Sequence, residues 1–261
     1  VEIGRDIAFD ELLADYDAVF IGTGAYTYVD GQLEGRDLGG VHDALPFLIA
    51  NVERLLRDEE PAPAYDLAGK HVVVLGGGDT GMDCNRTAIR LGAASVTCVY
   101  RRDEASMPGS RREVGYSREE GVRFLFQQQP IALVGEGGKV TAVRVVETQL
   151  VDDGDGRPRP RNVEGSETDL RADVVIQAFG FQPSPPDWCE AFGVERDRSG
   201  RIVAGGEGRL PLQTSNPRIF AGGDNVRGAD LVVRAVYDGR EAAGSIALML
   251  ANSKLALKVA V

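Results

Sequence analysis

The residues best suited to chemistry stand in one run, His71-Val72-Val73-Val74-Leu75-Gly76-Gly77-Gly78-Asp79-Thr80-Gly81. An apolar strand that enters a glycine-rich turn and leaves as a helix is the arrangement that holds a dinucleotide pyrophosphate. Gly76 permits the tight turn, Gly78 lets the backbone approach the phosphates, and Gly81 lets the helix pack against the strand. The helix that follows offers free N–H groups and roughly half a positive charge at its start. Gly76, Gly77, Gly78, Asp79, Thr80 and Gly81 are therefore candidate cofactor-binding residues. The next strand ends Tyr100-Arg101-Arg102-Asp103. An acid at that point would hold the ribose 2′-hydroxyl of NAD, whereas guanidinium groups suit a 2′-phosphate, so Arg101 and Arg102 favour NADP. The alternative is a surface ion pair between Arg102 and Asp103 or Glu104. Arg111 and Arg112 either add positive potential or form a solvated helix face.

A second constellation is Ile219-Phe220-Ala221-Gly222-Gly223-Asp224, ahead of a long apolar-rich segment. In proteins that bind two dinucleotides, a carboxylate after such a strand accepts a ribityl hydroxyl, and the following helix points its N-terminus at the flavin. Gly223 and Asp224 are candidates for that role; an acid capping a helix is the competing reading. Gly22-Thr23-Gly24 and Ala178-Phe179-Gly180-Phe181 end two further strands as the connecting turns of such folds do. Hydride transfer depends on orientation more than on an acid or a base, so no catalytic acid or base is assigned. Ser106 and Ser110 have no histidine near them in sequence.

These groups need elements to position them. The near-continuous run His71–Leu75 predicts a strand buried on both faces of a parallel sheet. Helix is expected over about 80–91 and strand over 95–100. Leu45, Leu48, Ile49, Val52, Leu55 and Leu56 recur at helical spacing and predict an amphipathic helix over 44–57. The charged stretch 110–120 reads as an exposed helix. Strands are expected at 17–21, 122–126, 131–134, 173–179 and 218–221, with a terminal helix over 229–251. Residues 139–150 alternate as a strand, and 151–167 read as a solvated loop, so 139–172 predicts an antiparallel hairpin inserted on a parallel sheet. Strands alternating with helices argue for an α/β class.

The 261 residues carry 40 acids against 29 bases, a net charge of −11 that disfavours nucleic acid and anionic membrane surfaces. No apolar run approaches a bilayer span. Cys84, Cys98 and Cys189 are isolated, which leaves no dithiol pair or cysteine-ligated cluster within the chain and fits a reducing cytoplasm. His42 and His71 lie far apart and give little support for a metal site. Val1 stands where Met would, with no signal segment behind it, and reads as a processed or truncated start.

Several segments together carry a more specific pattern: VVVLGGGDTGMDC (72–84), VTCVYRRDEASMPGSRREV (96–114), AFGFQP (178–183), QTSNPRIFAGGD (213–224) and GADLVVRAVYDGREAA (228–243). On these the chain resembles, over nearly its whole length, the small (beta) subunits of bacterial NADPH-dependent glutamate synthases. Ferredoxin-linked relatives and the reductase part of dihydropyrimidine dehydrogenase share parts of the pattern. The resemblance implies a two-dinucleotide-binding flavoprotein-type fold, with an NADPH domain (45–183) inserted into a partial FAD domain (1–44 and 184–261). It implies that Asp230, Leu231 and Val232 belong with Asp224 on the flavin side. It also implies hydride transfer from NADPH to FAD, 4Fe-4S clusters in an N-terminal cysteine-rich part, and a large (alpha) subunit that makes glutamate. That cysteine-rich part and the family's separate FAD glycine fingerprint are not among these residues, so the chain by itself is expected to be inactive. Relatives are expected to carry a small residue such as Ala at Gly81, and the site to tolerate either. A module that holds NADPH without catalysis is the competing reading; a thioredoxin-reductase-like enzyme would need a CxxC that is not here.

Overall fold

Strand formation at His71–Leu75 follows from what encloses it, as the computed structural model shows for residues 1–152, 154 and 158–259, with side chains described through Asn252. In chain order the elements begin with α1 (Phe9–Asp15), β1 (Val19–Ile21), β2 (Thr27–Tyr28), β3 (Val41–Asp43), α2 (Ala44–Arg57), β4 (His71–Leu75) and α3 (Asp79–Arg90). They continue with β5 (Ser95–Tyr100), α4 (Arg111–Glu119), β6 (Arg123–Phe126), β7 (Gln128–Glu136), β8 (Lys139–Val151), β9 (Arg159–Asn162), β10 (Thr168–Arg171) and β11 (Val174–Gln177). Last come β12 (Phe181–Gln182), α5 (Trp188–Ala191), β13 (Ile219–Ala221), α6 (Asp224–Arg227) and α7 (Val232–Val259).

The chain divides into two units, Val29–Gly180 and a second made of Val1–Tyr28 with the chain from Phe181 onward. In the first, β3, β11, β4, β5 and β6 form a five-stranded sheet in that order, every pair parallel. Val72 and Val74 face a core shared with Phe47, Met82, Ala88 and Val114 from the helices. Val73 and Leu75 face the opposite core with Leu133, Val143 and Val145. Each fully buried aliphatic of this kind contributes about 1.5–3 kcal/mol, which is why Val72 to Leu75 are apolar at successive rather than alternate positions.

Several expectations meet a different outcome. Residues 29–44 go with the Val29–Gly180 unit, because β3 pairs with β11, and residues 181–183 go with the other. The 139–172 hairpin is not an insertion on the parallel sheet. It joins β7 in a separate antiparallel sheet, ordered β10-β8-β7 with β9 on β8, and its apolar side chains cover the parallel sheet's second face. The expected 151–167 loop is partly strand, since β9 pairs with Thr148–Val151; residues 153 and 155–157 of it, like 260–261 of the tail, lie outside the described residues. The helix expected over 44–57 forms as α2 with those bounds; its enclosed side chains are Ala44 and Phe47, while Ile49, Val52, Leu55 and Leu56 are exposed. The helix packs against α3 and the edge strand β3, and only a narrow stripe of it is enclosed. α4 likewise buries Val114 and Ser117 on its inner side.

In the other unit β1 and β13 pair in parallel, and β2 pairs antiparallel with β12. Phe9, Ile21, Cys189, Ile202 and Ile219 form its core, where Phe9 stacks on Trp188 at 4.0 Å. Among the described residues, no helix is long and apolar enough to cross a membrane.

Candidate functional site

The turn after β4 is set by close backbone approaches. Gly76 has φ +135, and a Cβ on it would lie 2.1 Å from the Ala178 carbonyl oxygen at the end of β11. A Cβ on Gly77 would strike the Tyr100 ring. Gly81 sits beneath the turn, where a Cβ would come within 2.6 Å of the Gly76 carbonyl oxygen. An Ala there, as expected in relatives, would require the turn to shift, because the neighbouring atom is backbone and a side-chain rotation cannot relieve it.

Gly78 differs from its neighbours. Its backbone is ordinary extended chain, φ −86 and ψ 174, and a Cβ there would meet nothing within 4 Å. Neither strain nor packing calls for glycine. The space that the missing side chain leaves belongs to a cavity of about 500 Å³. Gly76, Gly77, Gly78, Thr80, Arg101, Arg102 and Gly180 all line it. Gly78 is the N-cap of α3 and no side chain caps that helix, so the first N–H groups of α3 are available to a ligand.

The arginines leave the end of β5 into this cavity. The Arg102 Nε is buried without a hydrogen-bond partner among the described residues. The competing surface ion pair does not form: Glu104 pairs with Arg118 at 2.8 Å, and Asp103 accepts from the Ser106 N–H at 2.9 Å. Arg111 and Arg112 are exposed, with Arg112 donating to the Tyr116 hydroxyl.

Gly81 packs helix on strand as expected, whereas Asp79 does other work, accepting from the Ser110 N–H at 2.8 Å. With the Gly109 N–H donating to the Gly77 carbonyl at 2.9 Å, Asp79 fastens the 106–110 loop to the glycine turn. Ser110 then caps α4 by accepting from the Glu113 N–H. Tyr100, Pro108, Gln129, Pro130, Asp30 and Phe179 also line the cavity and were not singled out in the sequence. Burial pushes the Tyr100 phenol up, against the opposing effect of Arg102 and Arg101. The Cys98 thiol, which faces the Gly76 carbonyl from below, is pushed up to about 11 by burial.

In the other unit, β1 and β13 deliver Gly22-Thr23-Gly24 and Gly222-Gly223-Asp224 side by side. Asn225 joins the two turns by donating to the Ile21 carbonyl at 3.0 Å and to Thr23 Oγ1 at 3.4 Å. Gly223 has φ +76, and its N–H donates to Asp238 at 2.9 Å. Asp238 is fully buried and also takes a two-pronged contact from Arg227, whose guanidinium holds its carboxyl below the usual range. Asp224 is half-buried at the start of α6, makes no side-chain cap on that short helix, and accepts a hydrogen bond from the Asp230 N–H ahead of α7. Burial pushes its carboxyl up. Asp230 is occupied locally, accepting from the Leu231 N–H and pairing with Arg234. Leu231 and Val232 are exposed, with Val233, Val236 and Tyr237 beside them. Asn225, Asp238 and Arg227 were missed in the sequence because each acts on a backbone group or partner far along the chain.

Three comparisons bear on this geometry. The chain is 58% identical over 248 residues to the glutamate synthase [NADPH] small chain of Halomonas elongata, covering 94% of this chain and 52% of that one. It is 54% identical to the putative oxidoreductase AegA of Escherichia coli, over 94% of this chain and 38% of that one. The chain thus spans about half or less of the length of these relatives. Its fold superposes on Mycobacterium tuberculosis FprA in complex with NADPH with a TM-score of 0.74 at 19% identity, over 98% of this chain and 69% of that one. The model of the pyridine nucleotide-disulphide oxidoreductases matches residues 7–239, and the chain belongs to that family.

Proposed function

We propose that this chain is the NADPH-accepting part of a flavoprotein oxidoreductase of the glutamate synthase small-chain kind. The observation that carries the reading is the cradle at Gly78, a glycine that neither backbone nor packing requires, beside the unpartnered buried Nε of Arg102. An anionic ligand with two phosphate sites fits both: a pyrophosphate at the α3 N-terminus and a 2′-phosphate at Arg101 and Arg102. In this reading Gly76, Gly77, Gly78 and Thr80 hold the pyrophosphate, Asp79 and Gly81 shape the turn, and Gly180 borders the pocket.

FAD fits the other unit at one end only. Asp224 and Gly223, with Gly22–Gly24 and the chain at Asp230–Val232, would hold the ribityl and flavin portion. No strand, glycine turn and helix for its pyrophosphate occur among the described residues. The residues here would bind and orient the two cofactors, of which NADPH would supply a hydride and FAD would accept it. Iron–sulfur clusters outside these residues would carry electrons to a large subunit that makes glutamate. Relatives named for that small chain support this assignment.

The test uses the chain extended at its N-terminus to the relatives' length. The extended protein is expected to show flavin absorption bands that NADPH bleaches and to reduce a dye. An extended protein without flavin, or with flavin that NADPH leaves oxidised, would leave a simple NADPH-holding module as the better reading.

A further inference from the structure

We infer that Thr148, 47 residues from the arginine pair in sequence, is the positioning residue that sets discrimination between NADPH and NADH. The inference rests on the reading of Arg101 and Arg102 as the 2′-phosphate site.

The strand pairing that fixes β5 against β6 ends at Tyr100 and Phe126. Arg101 and Arg102 therefore leave the sheet with carbonyls that no strand partner holds. Two other bonds hold them instead, one from β8 of the neighbouring antiparallel sheet and one from the residue that links β6 to β7. Thr148 Oγ1 donates to the Arg101 carbonyl at 2.7 Å, and the Gln127 N–H donates to the Arg102 carbonyl at 3.0 Å. The two anchors are themselves joined, since the Thr148 N–H donates to the Gln127 carbonyl at 2.8 Å and Gln127 Nε2 to the Thr148 carbonyl at 3.4 Å. Gln127 is the single residue between β6 and β7 and has φ +54, an uncommon conformation outside glycine. Thr148 is 3% exposed. A polar side chain so deep in a sheet is held there by its bond, and that bond goes to the arginine backbone.

The consequence is geometric. The direction of an arginine side chain is fixed first by its own peptide. Two guanidiniums converge on one phosphate only if both peptides are held, and bidentate contacts fail with small misalignment. The pyrophosphate contacts at Gly76–Thr80 depend on a different turn and do not use Thr148. Loss of its hydroxyl should therefore weaken NADPH and spare NADH.

The experiment titrates NADPH and NADH into the whole chain for wild type, R101A/R102A, T148V and T148S, with circular dichroism and melting as folding controls. R101A/R102A is expected to lower the NADPH-to-NADH affinity ratio. T148V is expected to lower it about tenfold, equivalent to about 1.4 kcal/mol, through NADPH alone, and T148S to restore it. If R101A/R102A lowers the ratio and folded T148V keeps the wild-type ratio, the role of Thr148 is refuted while the arginine reading stands. If T148V weakens both cofactors equally, Thr148 is structural and the inference fails. If R101A/R102A leaves the ratio unchanged, the arginine reading fails and the inference with it. Should T148V not fold, T148A against T148S isolates the same hydroxyl, and equal ratios in that pair overturn the inference.

Discussion

Replacing Gly78 by Val separates binding from folding in a way that the other glycines do not allow. A Cβ at Gly78 meets no atom within 4 Å, and its backbone angles suit any residue. The fold loses only the N-cap preference for glycine over a branched residue, on the order of 0.5–1 kcal/mol. At about 2–4 °C per kcal/mol for a chain of this size, melting should fall by a few degrees. Binding should fall much further. The added methyl groups occupy the space through which phosphate oxygens reach the N–H groups of α3. Each charge-assisted bond lost costs about 1.5–3 kcal/mol, so losing two costs about 3–6 kcal/mol, a hundredfold or more in affinity. Circular dichroism with a fluorescence titration of NADPH reads both quantities. Gly76→Ala is the contrast, since its Cβ would lie 2.1 Å from a backbone oxygen and should destabilise the chain itself. A folded Gly78→Val chain that binds NADPH normally would refute the cradle.

Gly81→Ala is expected to lower the melting temperature and weaken NADPH together, because the turn must shift to clear the Gly76 oxygen; unchanged melting would show that the turn yields freely. Asp238→Asn should cost about 1–3 kcal/mol in denaturant unfolding, since Gly223 and Arg227 both lose a charged acceptor. Because the folded-state carboxyl of Asp238 lies below its ordinary 3.8, its stabilisation is present above that value and lost as pH falls through the lower folded value. Wild type should therefore show a steeper acid loss than Asp238→Asn, and parallel curves would remove Asp238 from the account. With Cys98 pushed up to about 11 and all three thiols buried, a thiol reagent at pH 8 should label the native chain slowly and the unfolded chain at once. The 261 residues purified by themselves should carry little FAD and show negligible NADPH-driven dye reduction; stoichiometric FAD would place its pyrophosphate site within them.

Where steric rules were strict, the sequence could be read directly. The run His71–Leu75, the turn at Gly76 and the arginine pair after β5 stand where pattern puts them, because a doubly covered strand and a backbone contact each admit few residues. The helix α2 was legible over 44–57 but its enclosed stripe was not, since the packing against α3 and β3 that encloses Ala44 and Phe47 leaves no mark in spacing alone. The hairpin was recognised but not its sheet, since alternation in β8 shows that one face is buried without showing against what. Asp79 and Thr148 illustrate the remaining gap. Their partners, the Ser110 N–H and the Arg101 carbonyl, are backbone groups 31 and 47 residues away, and a backbone partner leaves no signature in residue type.

The most direct test of the central claim is a calorimetric titration of the unmodified chain with NADPH and with NADH at one ionic strength. The account predicts a single saturable site that takes NADPH at least about tenfold more tightly, since the 2′-phosphate adds charge-assisted bonds worth about 1.5–3 kcal/mol each. Heats that never saturate, or equal affinities for the two cofactors, would contradict it.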